Sequence, residues 1–183
     1  MNIIDKIISN FINNKSLYIG EKVTISEHMI QTAMAAEKAK CQKSLICSSL
    51  LHDYGHFILE DPDSLVRNNL DGKHENMGHE YLKKFFKKDV VKPIQYHVIA
   101  KRYLARDQKY FNTLSEASKI SLKLQGGVLT KKESKEFEKK DFFKQSIKLR
   151  KFDEAAKKTN IKVKSINDYK DLLISQLLWN LTI

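Results

Sequence analysis

The stretch SLICSSLLHDYGH, residues 44–56, decides the fold class of this chain. Its first half carries apolar side chains on every face of a helix, a pattern typical of a helix buried at the centre of a protein. The helix then ends in the dipeptide His52-Asp53, and His56 follows one turn later. The sequence therefore predicts a central helix that delivers an imidazole and a carboxylate to the interior.

The other candidate ligands are spread along the chain at long intervals. The full set is His28, His52-Asp53, His74, His97 and Asp153, in which the histidines and the final aspartate follow one another at 24, 22, 23 and 56 residues. Side chains this far apart do not come from one loop. We expect several helices to converge on a buried centre, each contributing one or two of these side chains.

Apolar spacing in the rest of the chain indicates an all-α protein. Only 6 Gly and 2 Pro occur in 183 residues, and no segment shows convincing strand alternation. Thr24 and Glu27 have capping-box spacing at the start of a helix. We predict a single domain over residues 1–183, with a core at about 16–158 and a loop at 60–73. The predicted helices are 2–13, 24–40, 44–51, 74–86, one with Pro93 at its first position, 115–124, 130–158 and a C-terminal helix at about 168–181.

Composition narrows the class of partner. The net charge is +11, but 29 of the 33 cationic residues are Lys and they are spread along the chain. Proteins that read nucleic acid rely on Arg for bidentate contacts, so a nucleic-acid partner is disfavoured. No run approaches the roughly 18 apolar residues of a membrane span. With two cysteines, Cys41 and Cys47, and no signal-peptide pattern, we expect a cytoplasmic protein.

Imidazole and carboxylate ligands together suit iron, manganese, zinc and similar ions. Neighbouring helical residues point about 100° apart, so His52 and Asp53 are poorly placed to chelate one ion as parallel arms. A bridging Asp53 would instead serve two metals and give His74 and His97 a role. The sequence thus favours a dinuclear site. His79, on the same predicted helix as His74, is either exposed or has a role that the pattern does not reveal.

Several segments, in order, resemble one small family. They are Tyr18–Glu21, His52–His56, His97–Leu104, Leu124–Gly127 and Arg150–Asp153. The chain resembles the HD-domain mixed-valent diiron oxygenases that cleave organophosphonates, typified by 2-amino-1-hydroxyethylphosphonate dioxygenase, and it is more distantly similar to myo-inositol oxygenase. The resemblance covers about residues 16–158 and implies an HD-domain helical bundle around a dinuclear site.

The resemblance also implies a cofactor and a reaction. His28, His52 and Asp153 would hold one iron, His74 and His97 the other, and Asp53 would bridge an Fe(II)/Fe(III) pair. Dioxygen would be the co-substrate, and C–P cleavage of (R)-2-amino-1-hydroxyethylphosphonate would give glycine and phosphate. The hydroxylated substrate would come from an upstream 2-oxoglutarate-dependent hydroxylase.

Residues for the substrate follow from the same resemblance. Tyr18 would occupy an iron position until substrate displaces it, and Glu21 would contact the substrate ammonium. The expected phosphonate contacts are His56, Lys101, Ser118, Ser121 and Arg150. Arg150 could instead support a metal ligand. Solvent exposure is the simpler interpretation for Lys101 and Glu21, and helix capping or exposure for the two serines.

Three other functions stay open. Hydroxymethylphosphonate, cleaved to formate and phosphate, is an alternative substrate for the same site. A generic HD-domain phosphohydrolase would need one metal to activate water and would leave His74 and His97 without a role. A basic binding protein with a structural metal would need clustered Arg or stacking aromatic residues, and neither is evident.

Overall fold

The computed structural model describes residues 2–18, 21–58 and 72–178, and these residues confirm the all-α prediction. They contain two isolated β-bridges and no sheet. Within the described ranges, two short 3-10 helices, Tyr54–Phe57 and Ile166–Tyr169, accompany ten α-helices. The α-helices are α1 Ile3–Asn13, α2 Ile25–Lys38, α3 Lys43–Leu51, α4 His74–Leu82, α5 Lys88–Leu104, α6 Gln108–Thr113, α7 Glu116–Leu124, α8 Lys131–Glu138, α9 Phe143–Ala155 and α10 Lys170–Ser175.

Helix α3 is the centre of the bundle. It packs against α2 on one side and α5 on another, and α9 contacts all three. Cys47, Leu50 and Leu51 of α3 are fully buried in the main apolar cluster. This confirms that the helix of residues 44–51 is enclosed. Its C-terminal end, where His52 and Asp53 lie, is therefore shut off from solvent by the neighbouring helices.

The N-terminus of α2 follows its local sequence. The Thr24 hydroxyl accepts a hydrogen bond from the Glu27 backbone N–H, and the Glu27 carboxylate accepts one from the Thr24 N–H. This is the predicted capping box. It fixes the first turn of α2 and so places His28, one residue after Glu27, at the buried face of the bundle.

The prediction that Pro93 begins a helix is wrong, because α5 starts at Lys88 and Pro93 lies inside it. A proline inside a helix removes the N–H that would bond to the carbonyl four residues earlier, here that of Asp89. The Ser48 hydroxyl of α3 lies 3.4 Å from the Asp89 carbonyl and 2.8 Å from the Val90 carbonyl. The shorter contact is to Val90, so Ser48 links α3 to the first turn of α5, with the Asp89 carbonyl further away.

Three other predicted boundaries need correction. Helix α4 ends at Leu82 and not at Phe86, and the predicted helix 130–158 is two helices separated at Phe142, whose φ is 65°. The predicted C-terminal helix at about 168–181 ends at Ser175. The chain turns at Gln176, and the Leu178 N–H donates to the Phe85 carbonyl at 2.8 Å. The last part of that prediction, and most of the predicted loop 60–73, lie outside the described residues.

No helix in residues 2–18, 21–58 or 72–178 has the length and apolar character that a bilayer crossing requires.

Candidate metal centre

Two groups of buried side chains meet at the centre of the bundle. The first group is His28, His52 and Asp153, and the second is Asp53, His74 and His97. Within each group the potential ligand atoms all lie within 4.8 Å of one another. The structure therefore brings together all six side chains predicted as metal ligands, from α2, α4, α5, α9 and the end of α3.

The first group is enclosed. The His28 Nε2 atom lies 3.1 Å from His52 Nε2 and 3.3 Å from Asp153 Oδ1. All three side chains are at most 1% exposed. The second group has similar spacing: the His74 and His97 Nε2 atoms lie 3.1 Å apart, and His74 is partly exposed. His74 is thus the most exposed of the six candidate ligands.

Asp53 connects the two groups through its two carboxylate oxygens. Its Oδ2 atom lies 3.3 Å from His52 Nε2 and 3.6 Å from His28 Nε2. Its Oδ1 atom lies 3.2 Å from His74 Nε2 and 3.4 Å from His97 Nε2. One carboxylate thus presents one oxygen to each group, the arrangement that a bridging ligand requires.

The donor atoms fit cations. The Nδ1 atoms of His28, His52 and His97 lie 2.9, 2.9 and 2.7 Å from backbone carbonyls. A carbonyl only accepts, so each Nδ1 carries a proton, and in the neutral ring Nε2 presents a lone pair to the centre. The Nε2 atoms of His28 and His52 face each other at 3.1 Å, so this position calls for a cation, either a proton on one ring or a metal ion. A cation between such lone pairs removes their repulsion.

Buried oxygen atoms that lack a hydrogen-bond donor give a second test of whether the site suits a metal ion. Asp53 Oδ2 and Asp153 Oδ1 are buried and have no hydrogen-bond donor among the described residues. Burial opposes ionisation of Asp53, but the facing imidazoles, His52 first, hold the pKa of Asp53 well below its usual range. Buried carboxylate oxygens without donors are costly unless a cation compensates them. The nitrogen and oxygen donor set suits iron, manganese or zinc.

Gly55 permits the close approach of α4 to the end of α3. A Cβ atom at Gly55 would lie 2.0 Å from the His74 carbonyl oxygen, so no side chain fits there. The backbone contact brings His74 to the second group. The His74 ring also stacks on the His56 ring, with centroids 4.3 Å apart and an interplanar angle of 18°. Burial and the neighbouring His74 lower the pKa of His56 to about 3, so its imidazole is neutral.

Arg150 contacts Asp153 directly. Its Nη1 donates to Asp153 Oδ2, its Nη2 donates to Glu154, and its Nε lies 2.9 Å from the Tyr110 hydroxyl. The hydrogen bond to Oδ2 leaves the other Asp153 oxygen directed at His28. Of the two roles that the sequence left open for Arg150, this geometry matches support of a candidate ligand. Neither Tyr110 nor Glu154 was anticipated.

Lys101 is buried, at 4% exposure, which excludes the interpretation of a solvated surface lysine. Its Nζ donates to the Ser121 hydroxyl at 2.9 Å. Burial, with the Arg150 charge next, lowers the pKa of Lys101 to about 7. Ser118 is also buried, but its hydroxyl contacts Lys157 at 2.6 Å instead of Lys101. The structure therefore places the two serines in different surroundings.

Tyr18 covers the first group. Its ring stacks on that of His28, with centroids 4.2 Å apart at 23°. Burial, followed by the charges of Asp53 and Asp153, raises the pKa of Tyr18 well above its usual value. Glu21 lies nearby, where its Oε1 accepts from the Ser115 hydroxyl at 2.7 Å and lies 3.3 Å from Lys157 Nζ. Glu21 is thus not a solvated surface glutamate.

Two further residues at this site, besides Tyr110 and Glu154, were missed from the sequence, and one open question is settled. Ser115 and Lys157 both contact Glu21, and only the N-cap position of Ser115 gave a local signal. His79 is buried and not exposed, and it belongs to neither candidate metal group.

Comparison with known proteins agrees with this geometry. The family model of the HD domain matches residues 25–158. The chain is 46% identical over 145 residues to a [1-hydroxy-2-(trimethylamino)ethyl]phosphonate dioxygenase (glycine-betaine-forming) of Leisingera caerulea, a match that covers 79% of this chain and 74% of that one. It is 40% identical over 156 residues to the hydroxymethylphosphonate dioxygenase of Gimesia maris, covering 83% and 77%.

An uncharacterized protein, L432 of Acanthamoeba polyphaga mimivirus, is 38% identical over 163 residues, 87% of this chain and 74% of that protein. The two named relatives share a class of reaction and differ in the group attached to the hydroxylated carbon. The predicted family and enzyme class are confirmed: the chain belongs to the HD-domain family, in the group that contains the phosphonate dioxygenases, and it is an oxygenase.

Proposed function

We propose that this protein uses dioxygen to cleave the C–P bond of a small 1-hydroxyphosphonate at a centre of two iron ions. His28, His52 and Asp153 would hold one ion, His74 and His97 would hold the other, and Asp53 would lie between them. When bound, the Fe(II)/Fe(III) pair supplies Lewis-acid and redox chemistry at this position. The observation that carries the proposal is the Asp53 carboxylate, which presents one oxygen to each group.

The second group favours an oxygenase over a one-metal phosphohydrolase. A hydrolase needs one metal to activate water, and the first group with Asp53 would suffice for it. His97 is 2% exposed, and its Nδ1 donates to the Ile94 carbonyl. This hydrogen bond directs the Nε2 atom of His97 towards the centre, as the corresponding bond of His52 does. A second metal site accounts for this orientation, whereas a one-metal hydrolase does not.

Lys101 and Ser121 form the proposed phosphonate-binding side of the site. A phosphonate has up to two negative charges and three acceptor oxygens, so it needs cations and N–H or O–H donors. The buried Lys101 Nζ donates to the Ser121 hydroxyl and has no carboxylate at hydrogen-bond distance among the described residues, and a bound anion would favour its charged form. We assign it to the phosphonate, with His56 and the Ser118 region as further contacts.

The substrate that we propose first is (R)-2-amino-1-hydroxyethylphosphonate, which yields glycine and phosphate. Glu21 supports it, because a carboxylate beside the centre suits an ammonium group on C2. One observation favours hydroxymethylphosphonate as a second candidate: Glu21 already has Lys157 as a cationic partner at 3.3 Å. A substrate without an ammonium group leaves this ion pair intact.

The decisive experiment is phosphate release by iron-loaded protein with and without dioxygen. We expect oxygen-dependent phosphate from 2-amino-1-hydroxyethylphosphonate, with an equal amount of glycine. Phosphate formed equally without dioxygen would mean a hydrolase. Phosphate and formate from hydroxymethylphosphonate alone would select the second candidate. The trimethylammonium analogue completes the set of substrates.

The proposed reaction also implies an enzyme that supplies its substrate, and the cysteines bear on its cellular location. A hydroxylated carbon next to phosphorus calls for an earlier oxidation of the parent phosphonate, which we assign to a 2-oxoglutarate-dependent hydroxylase. We further propose a cytoplasmic location. Cys41 and Cys47 are unpaired, as expected for a protein in a reducing compartment.

A further inference from the structure

Lys157 lies in a polar cluster next to the candidate metal centre. Its Nζ donates to the Ser118 hydroxyl at 2.6 Å and to the Ser115 hydroxyl at 3.2 Å. It also lies 3.3 Å from a carboxylate oxygen of Glu21 and 3.3 Å from one of Glu154. A lysine with four oxygen neighbours and a side chain that is 10% exposed is not a solvated surface charge.

The cluster joins three parts of the fold. Lys157 follows the end of α9, Ser115 is the N-cap of α7, and Glu21 lies in the segment before α2. Glu21 receives one contact from each of the other two, at 3.3 Å from Lys157 and 2.7 Å from Ser115. The position of the Glu21 carboxylate is thus set by residues that are about 94 to 136 positions away in sequence.

Tyr18 shares this support. The Glu21 N–H donates to the Tyr18 carbonyl at 2.9 Å, and the Tyr18 N–H donates to the Val23 carbonyl at 2.8 Å. The Lys157 ammonium also lies 5.8 Å from the centroid of the Tyr18 ring, which stacks on His28. A displacement of Lys157 therefore acts on Glu21 and on the tyrosine that covers the first metal group.

The Lys157 charge also changes what Glu21 attracts. A substrate ammonium bound to this carboxylate would come within a few ångströms of the Lys157 ammonium and be repelled by it. A hydroxymethylphosphonate has no cation and meets no such repulsion. The Glu21–Lys157 ion pair therefore weakens the preference of the site for cationic substrates, while it keeps the Glu21 carboxylate in place.

We propose that Lys157 is a positioning residue that sets substrate selectivity. It holds Tyr18 and Glu21 against the centre and acts as the internal counter-ion of Glu21. The selectivity half of this inference rests on the proposed function, and the positioning half does not.

The test compares K157Q with K158M in the full-length protein. Gln keeps a hydrogen-bond donor for Ser118 but has no charge, whereas Lys158 is an exposed neighbour whose loss removes the same charge from the surface. We expect K157Q to raise the ratio of kcat/KM for 2-amino-1-hydroxyethylphosphonate to that for hydroxymethylphosphonate by about fivefold. K158M should leave this ratio unchanged. K157R, which keeps the positive charge, should have the same ratio as the unaltered protein.

Hydrogen exchange of the Tyr18 and Glu21 amides gives the second readout, which needs no turnover. K157Q should speed their exchange, and K158M should not. A kcat/KM ratio that stays within twofold of the original, or that falls, would overturn the selectivity role. Unchanged exchange would overturn the positioning role. If the unaltered protein cleaves no phosphonate, the proposed function fails. Hydrogen exchange still decides whether Lys157 positions Tyr18 and Glu21.

Discussion

The Nε2 atoms of His28 and His52 face each other at 3.1 Å, and each ring has its Nδ1 bonded to a backbone carbonyl at 2.9 Å. Because each carbonyl holds a proton on Nδ1, the facing Nε2 lone pairs repel each other in the buried interior unless a proton or a metal ion lies between them. His74 and His97 repeat the Nε2–Nε2 distance of 3.1 Å on the other side of Asp53. The protein thus holds in place donor atoms that repel one another unless cations lie between them.

Removal of the metal should therefore destabilise the fold. A bound cation stabilises the native state because the unfolded chain does not bring these ligands together. We expect chelation to lower Tm by roughly 5 to 10 °C, since saturating metal contributes about 3 kcal/mol to a domain of this size. Thermal unfolding with and without iron measures the change. An unchanged Tm in protein shown to release its metal would contradict the fit.

Asp53→Asn should disrupt the pairing of the two metals. An amide offers one neutral oxygen, so it lacks the second anionic oxygen that faces the other group. We expect the metal content to fall from two ions per chain to at most one, with loss of oxygen-dependent turnover. Elemental analysis measures this, and D141N is the matched control because Asp141 is exposed at the surface. Retention of two ions by D53N would rule out a bridging role.

Lys101→Met should stabilise the metal-free protein while abolishing phosphonate turnover. The folded-state pKa of Lys101 is lowered to about 7 from an ordinary 10.5, so at pH 6 the native state holds a buried charge at a cost. Between about pH 7 and 10.5 the unfolded state binds more protons than the native state, and native stability rises with pH. The cost is fully present below pH 7 and disappears as pH rises towards 10.5.

We therefore expect K101M to raise Tm by about 5 °C at pH 6, with a gain that shrinks as the pH increases. Thermal unfolding across this pH range checks the sign. A gain that is constant with pH would assign the effect to packing and not to the buried charge. K109M, at an exposed lysine, serves as the control for loss of a surface charge.

Glu21→Gln should impair turnover of 2-amino-1-hydroxyethylphosphonate far more than that of hydroxymethylphosphonate. Gln keeps the acceptor for the Ser115 hydroxyl but loses the charge that attracts an ammonium group. We expect a loss in kcat/KM of about tenfold or more for the amine. Steady-state kinetics with both substrates, and with E136Q as an exposed control, measure it. Equal losses on both substrates would refute a role for Glu21 in binding the amine.

Local sequence patterns predicted much of the fold and most residues of the candidate metal centre. The apolar residues around the helix of residues 44–51 predicted its burial, and Thr24 with Glu27 predicted the start of α2. Both signals depend only on neighbours within one or two turns. The separation of His52 from His28, His74 and His97 likewise predicted convergence of helices, because ligands at such intervals meet only through tertiary packing.

Two of the failures of local rules coincide with a distant contact, and the third is a backbone turn. Pro93 lies inside α5, where the Ser48 hydroxyl of α3 reaches the carbonyls of the first turns. The predicted helix 130–158 breaks at Phe142, which adopts a positive φ between α8 and α9. The C-terminal helix stops early because the following residues pair with the chain near Phe85. None of these contacts is visible within a window of sequence.

The sequence by itself determined the class of fold, the family and the identities of the six candidate ligands, because residue type and spacing carry those signals. Only the tertiary structure decided that Asp53 faces both groups, that Arg150 supports Asp153, and that Lys157 is the partner of Glu21. The physical reason is that hydrogen bonds and ion pairs depend on distances of a few ångströms between side chains. Those distances arise only when α2, α3, α5 and α9 pack together.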